Sequence, residues 1–187
     1  MTVAHVDEVV SFVETSNGWR CLVADLNLGI DLLFGHTNEL EGSYTFTKNH
    51  LLSVYSNPEE QLYLETVRSG LAAIRTKLAQ VLDVDETELI RVPVAFSPSH
   101  PLTGHRENLS HARLPNMVNL LFIRSPTGGR KILLPRPDYL PFQIYMEDML
   151  AELGYLPDEY SFIDTSELHS GFGEVHCGTN VQRLRIQ

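Results

Sequence analysis

Gly173-Glu174-Val175-His176-Cys177-Gly178-Thr179-Asn180 sets a cysteine between a histidine and a glycine in a polar, glycine-flanked stretch. Thiolate chemistry needs a sulfur that a substrate can reach and a neighbour that helps to remove its proton. Cys177 has the first requirement by its setting. Cys21 does not: Trp19-Arg20-Cys21-Leu22-Val23-Ala24 is an apolar run of the kind that packs an inert thiol. Cys177 is therefore the candidate nucleophile, against the plainer reading of an inert, half-buried thiol.

His5-Val6-Asp7-Glu8 supplies the second group of candidates. In an extended segment, residues two apart point to one side. His5 and Asp7 are then expected to face one space, with Val6 toward the core. An imidazole can activate a cysteine, and a carboxylate can hold a cationic substrate. The plainer readings are a frayed terminal residue for His5 and a local backbone cap for Asp7. His176 adjoins Cys177 and is expected to point away from it in an extended stretch, so it reads as structural. His169 reads as a loop histidine. A zinc site from His169, His176 and Cys177 lacks an evident fourth ligand. Pro126-Thr127-Gly128-Gly129 lacks the lysine and helix start of a phosphate-binding loop.

The elements that must position these groups read as two blocks of one order. In the first, Glu8 to Glu14 is a strand, Ser16-Asn17-Gly18 a turn and Trp19 to Ala24 a return strand. Asn57 caps a helix with Pro58 at its first position, and Tyr63, Val67, Leu71, Ile74, Leu78 and Val81 share one face. Leu89 to Val94 is a strand that Pro93 places near an edge or its end. In the second, Met117 to Ile123 is a strand, Pro126 to Gly129 a turn and Lys131 to Leu134 the return. Phe142 to Leu153 is a helix, with Ile144, Tyr145, Met149 and Leu153 inward and Gly154 as its stop. Tyr160 to Asp164 is the next strand, and Val181 to Ile186 a last short one. Each block is ββαβ, so the fold class is α/β. Asp25 to Ser56, with a short helix over Leu26 to Phe34, and Ser97 to Pro115, a long surface loop, are insertions. Uncovered sheet edges point to a larger ring of such units or to pairing with another chain, a second copy in a homo-oligomer included.

A chain of 187 residues with 43% hydrophobic and 20% charged residues can bury a core. A net charge of -10 argues against a general nucleic-acid binder and is compatible with a cationic ligand. Two cysteines make no disulfide framework, and no apolar run is long enough for a membrane helix. A reducing, cytoplasmic setting is the expectation.

The two chemical segments together resemble the protein-arginine deiminase family. Gly173 to Asn180 is similar to its C-terminal signature, His5-Val6-Asp7-Glu8 to its histidine motif, and Pro115-Asn116-Met117-Val118-Asn119 to the strand motif between them. The resemblance spans nearly the whole chain and implies the C-terminal part of a deiminase catalytic domain over residues 1–187. It implies two to three units of a pentein-type α/β propeller, an incomplete ring. It also implies hydrolysis of peptidyl-arginine to citrulline and ammonia. Cys177 would attack the guanidinium carbon, His5 would serve as acid and base, and Asp7 would bind the guanidinium. Other guanidine chemistry (free-arginine or agmatine deiminase, amidinotransferase) and an inactive binding module are the rival functions. The family's second aspartate, upstream of the histidine motif, has no match here. Gly171 and Phe172 stand where some animal members carry a basic residue near the substrate. Calcium (Ca2+) is implied by the resemblance alone, and no ligand cluster for a metal is evident in the sequence.

Overall fold

The computed structural model of the chain describes residues 2–3, 6–35, 45–98, 109–170 and 173–179. The expected strand from Val181 to Ile186 lies outside the described residues, as do Gly171 and Phe172. Among the described residues the fold is mixed α/β with three three-stranded sheets.

The first block forms as a hairpin of β2 (Val10–Thr15) and β3 (Gly18–Asp25), preceded by the short strand β1 (Thr2–Val3) and a single 3-10 turn, Val6–Glu8. Gly18 closes the hairpin at φ +99°, a conformation open to glycine at little cost. Helices α1 (Leu26–Gly35), α2 (Thr45–Ser56) and α3 (Pro58–Leu82) follow, and β4 (Ile90–Pro93) returns parallel to β3. Pro93 ends β4 at the sheet edge, where its missing N–H costs no ladder bond. The second block repeats the path. β7 (Leu121–Arg124) pairs antiparallel with β8 (Arg130–Pro135), α4 (Leu140–Glu152) crosses over, and β9 (Tyr160–Ile163) lies parallel to β8. Between the blocks, β5 (Phe96–Pro98) and β6 (Leu109–Ala112) pair with each other, and β6 runs parallel to β1. A short helix, α5 (Ser166–Ser170), precedes the Cys177 turn.

Several expectations are corrected. The segment from Asp25 to Ser56 holds a second helix, α2. Its Thr- and Ser-rich sequence gives weak helical signal, and Pro58 breaks it from α3 at Asn57. The stretch from Ser97 to Pro115 contributes part of β5 and all of β6 rather than only a loop. Met117 to Leu120 is a buried turn, and the strand starts at Leu121. The α3 face buries Leu64, Val67 and Leu71 but leaves Val81 exposed. The α4 sequence is apolar on most sides, so its period does not choose a face; Phe142, Met146 and Leu150 are buried and Ile144 is exposed.

One hydrophobic core runs through both blocks, from Val13, Leu22, Leu64, Val67 and Phe96 to Ile132, Leu134, Phe142, Met146 and Leu150. The end of β2 ties the blocks together at its polar rim. The Glu14 carboxylate pairs with Arg124, while its carbonyl accepts from Tyr155 Oη and, at 3.3 Å, from Arg130 Nη1. Trp19 meets Phe122 edge-on at 5.5 Å beside this junction. Gly29 lets α1 touch the chain after β4: a Cβ there would lie 2.0 Å from the Val94 carbonyl oxygen.

Candidate active site

Cys177 stands on a tight turn whose first half is buried and whose second half is open. Glu174 and Val175 are buried; His176, Cys177, Gly178 and Thr179 are exposed. The turn closes through Gly178 N to Glu174 O at 2.9 Å and Thr179 N to His176 O at 3.1 Å. Gly178 is packed closely here, since a Cβ would come within 3.1 Å of Leu168 and 3.3 Å of the Glu174 carbonyl.

The buried Glu174 carboxylate anchors the turn to two other parts of the chain. Oε1 accepts from Asn116 N at 3.2 Å and meets His169 Nδ1 at 2.6 Å; Oε2 accepts from Thr165 Oγ1 at 2.9 Å. A buried carboxylate is tolerated when its lone pairs are filled in this way. Asn116, itself buried, joins the other wall of the site: its Nδ2 donates to Glu8 O at 2.7 Å, fixing the end of the 3-10 turn that carries Asp7.

Asp7 thereby reaches the Cys177 turn across nearly the whole sequence. The Cys177 thiol donates to Asp7 Oδ2 at 3.3 Å, and His176 Nδ1 lies 2.9 Å from the same oxygen. From the other side, Asn119 Nδ2 donates to Cys177 Sγ at 3.2 Å. Burial pushes the Cys177 thiol up from its usual value and the Asp7 charge adds to that, against the Asn119 hydrogen bond, which lowers it. Burial also opposes ionisation of Asp7, but the bonds from His176 and Cys177 outweigh it and leave the carboxyl below its ordinary value. At rest the sulfur is therefore a thiol held against a carboxylate.

The sequence pairs Asp7 with Cys177, and the structure brings them together. His5 lies outside the described residues. The expectation that residues 5–8 are extended is corrected: Val6–Glu8 is a 3-10 turn, and Val6 is exposed rather than in the core. His176 does not point away, because the turn swings its ring onto Asp7. His169 belongs to α5 rather than to a loop, and its ring is turned to Glu174. Among the described residues no group of His, Cys, Asp and Glu could hold a metal ion, zinc or calcium included. Asn116, Asn119 and Glu174 lie in motifs quoted from the sequence, but their hydrogen bonds to both walls of the site were not anticipated there. The polar Asn116 and Asn119 inside an otherwise apolar run were the available signal.

A carboxylate from Asp7 and an amide from Asn119 converge on the Cys177 sulfur in an α/β fold. The chain belongs to the protein-arginine deiminase (PAD) family, whose pattern it matches over residues 1–187. It is 28% identical over 196 residues to human protein-arginine deiminase type-4, 29% over 199 to the mouse type-4 protein and 25% over 201 to mouse type-1. These alignments cover 98%, 97% and 98% of the chain. The chain spans 28% of the length of each of these relatives.

Proposed function

We propose that this chain carries the nucleophile side of a protein-arginine deiminase site and converts peptidyl-arginine to peptidyl-citrulline and ammonia. The observation that carries the reading is the 3.3 Å contact between Cys177 Sγ and Asp7 Oδ2. It sets a cation-binding carboxylate beside the attacking atom. Guanidinium is planar and always charged, so a carboxylate can grip two of its N–H groups while the thiolate approaches its carbon.

A guanidinium seated on Asp7 takes the carboxylate that the thiol proton now uses and adds a positive charge near sulfur. Both changes favour the thiolate. The thiol proton passes to His5, and the thiolate forms an S–C bond to the guanidinium carbon. The tetrahedral adduct then breaks a C–N bond, and His5 gives its proton to the departing ammonia. Water adds to the resulting thiouronium, with His5 taking its proton. The C–S bond breaks, leaving citrulline and the free cysteine. In this reading the chain forms two to three ββαβ units of a larger pentein-type ring, completed by an N-terminal half or a partner copy, in a cytoplasmic setting. The resemblance implies calcium, but no carboxylate cluster among the described residues fits it, and no step above runs through it.

One observation favours a second reading, a binding module without turnover: the Cys177 thiol is pushed up rather than down. The test is citrulline release from a blocked arginine peptide and from free arginine, with and without calcium. Loss of product in Cys177→Ala and His5→Ala supports the reading. Undiminished turnover in Cys177→Ser would overturn it, and preference for free arginine would assign a different guanidine substrate. Arginine-peptide binding by well-folded protein with no product would establish the second reading.

A further inference from the structure

One oxygen of Asp7 meets two groups of the facing turn. His176 Nδ1 lies 2.9 Å from Oδ2, and the Cys177 thiol donates to the same atom at 3.3 Å. A thiol is a weak donor, so the imidazole is the firmer of the two holds on the carboxylate. The His176 side chain is 51% exposed and that of Asp7 only 21%, which puts the ring on the open side of the pair, where a cation must enter. Both backbones are fixed independently of this contact. His176 N donates to Asn119 Oδ1 at 2.8 Å, and Glu8 O, at the end of the Asp7 turn, accepts from Asn116 Nδ2 at 2.7 Å. The exposed ring can therefore rotate into water, where its N–H finds a new partner, without moving either turn.

We propose that His176 is a specificity-determining residue: at rest its ring occupies the Asp7 carboxylate, and an incoming cation must displace it. This rests on the reading of Asp7 as the guanidinium seat. A guanidinium offsets the lost imidazole bond, because its planar fork sets two parallel N–H bonds on one carboxylate. An ammonium is a compact, strongly hydrated charge without that fork, and gains less in the exchange. The ring thus acts as a threshold that a forked cation passes more easily than a point charge, and it favours an arginine side chain over a lysine. Neighbouring groups do not take over this role. The Glu174 carboxylate faces Asn116, Thr165 and His169, and Asn119 Nδ2 is aimed at the Cys177 sulfur.

Methanethiosulfonates test this without a guanidine. The Cys177 thiolate attacks the sulfenyl sulfur, an S–S bond forms and methanesulfinate leaves. The aminoethyl reagent carries an ammonium, and the methyl reagent is uncharged. The ratio of their rates reports the access of a cation to Asp7, since the acidity of Cys177 enters both rates alike and cancels. Buried Cys21, pushed up to about 11, is separated by peptide mass mapping. His176→Phe keeps a ring and removes its N–H. The ratio should rise about tenfold, the effect of one hydrogen bond to a charged group. His176→Asn sets an amide N–H near the place of Nδ1 and should keep the parent ratio. A ratio that is unchanged or lower in folded His176→Phe overturns the proposal. So does an equal rise in His176→Asn, which would remove the hydrogen bond as the cause. Because the reagents carry no guanidine, failure of citrulline formation would count against the deiminase reading and leave this one standing.

Discussion

Replacing Asp7 by asparagine should make Cys177 more reactive to a neutral electrophile and less useful to arginine. Two unit charges 3.3 Å apart repel by about 1.3 kcal/mol even at the dielectric of water. That is close to one pKa unit, and partial burial makes it a floor. Asp7→Asn removes this charge and the acceptor that now holds the thiol proton. Alkylation of Cys177 by iodoacetamide at pH 7.5 should rise about tenfold. Citrulline formation should fall by ~30-fold or more, because removing one partner of a substrate charge pair costs about 2 kcal/mol at least. The pair of assays, run on one preparation, separates acidity from substrate capture. Alkylation that is unchanged or slower would refute the idea that Asp7 keeps the thiol protonated.

Other variants probe the supports of the site. Glu174→Ala leaves Asn116 N, Thr165 Oγ1 and His169 Nδ1 without their buried acceptor and should cost about 2–3 kcal/mol in urea unfolding, with loss of turnover. Gly29→Ala puts a methyl 2.0 Å from a backbone oxygen; the enforced shift of α1 should cost at least ~2 kcal/mol by the same measurement. Asp25 is buried, which opposes its charge, yet Arg91 at 2.5 Å, Leu28 N at 2.9 Å and Arg75 at 3.5 Å hold its carboxyl below the ordinary 3.8. A lowered folded value means stability that is complete above pH 3.8 and lost as pH falls through the folded value. Asp25→Asn should therefore cost ~1–2 kcal/mol at pH 7, a moderate figure because Arg91 is half exposed, and the gap from the parent should narrow as pH falls below 3.8 through the folded value. A gap independent of pH would contradict the charge argument.

The hairpins, α3, α4 and the strands that follow each helix were legible in the sequence because Gly or Pro marks their ends and α3 has a clear apolar period, whereas the period of α4 does not choose a face. Helix α2 was not, since Thr45 to Ser56 has no strong period and its end is set by the neighbouring Pro58. The pairing of Asp7 with Cys177 was legible as residue chemistry, but its geometry was argued from the wrong local structure. The 3-10 turn at Val6–Glu8 is held by Asn116, a residue whose hydrogen bond spans 108 positions and leaves no local trace. His176 was misjudged for a related reason: strand alternation does not apply in a turn. Asn119 looks like a polar interruption of an apolar run until the sulfur above it is seen.

Asp7 and Cys177 are 170 positions apart, and their contact closes a loop almost as long as the chain. Closing such a loop in a free chain costs about 4.5 kcal/mol or more, beyond what one bond between a thiol and a carboxylate returns. The contact cannot lead folding and must follow once the shared core has brought Asn116 under both turns. Its assembly is a late event, governed by long-range contacts. In refolding, the slowing of Cys177 alkylation should lag behind the change in Trp19 fluorescence. The resting thiol then acts as a built-in indicator of finished folding: a chain caught partway exposes a cysteine more acidic than the native one, and betrays itself by reacting faster.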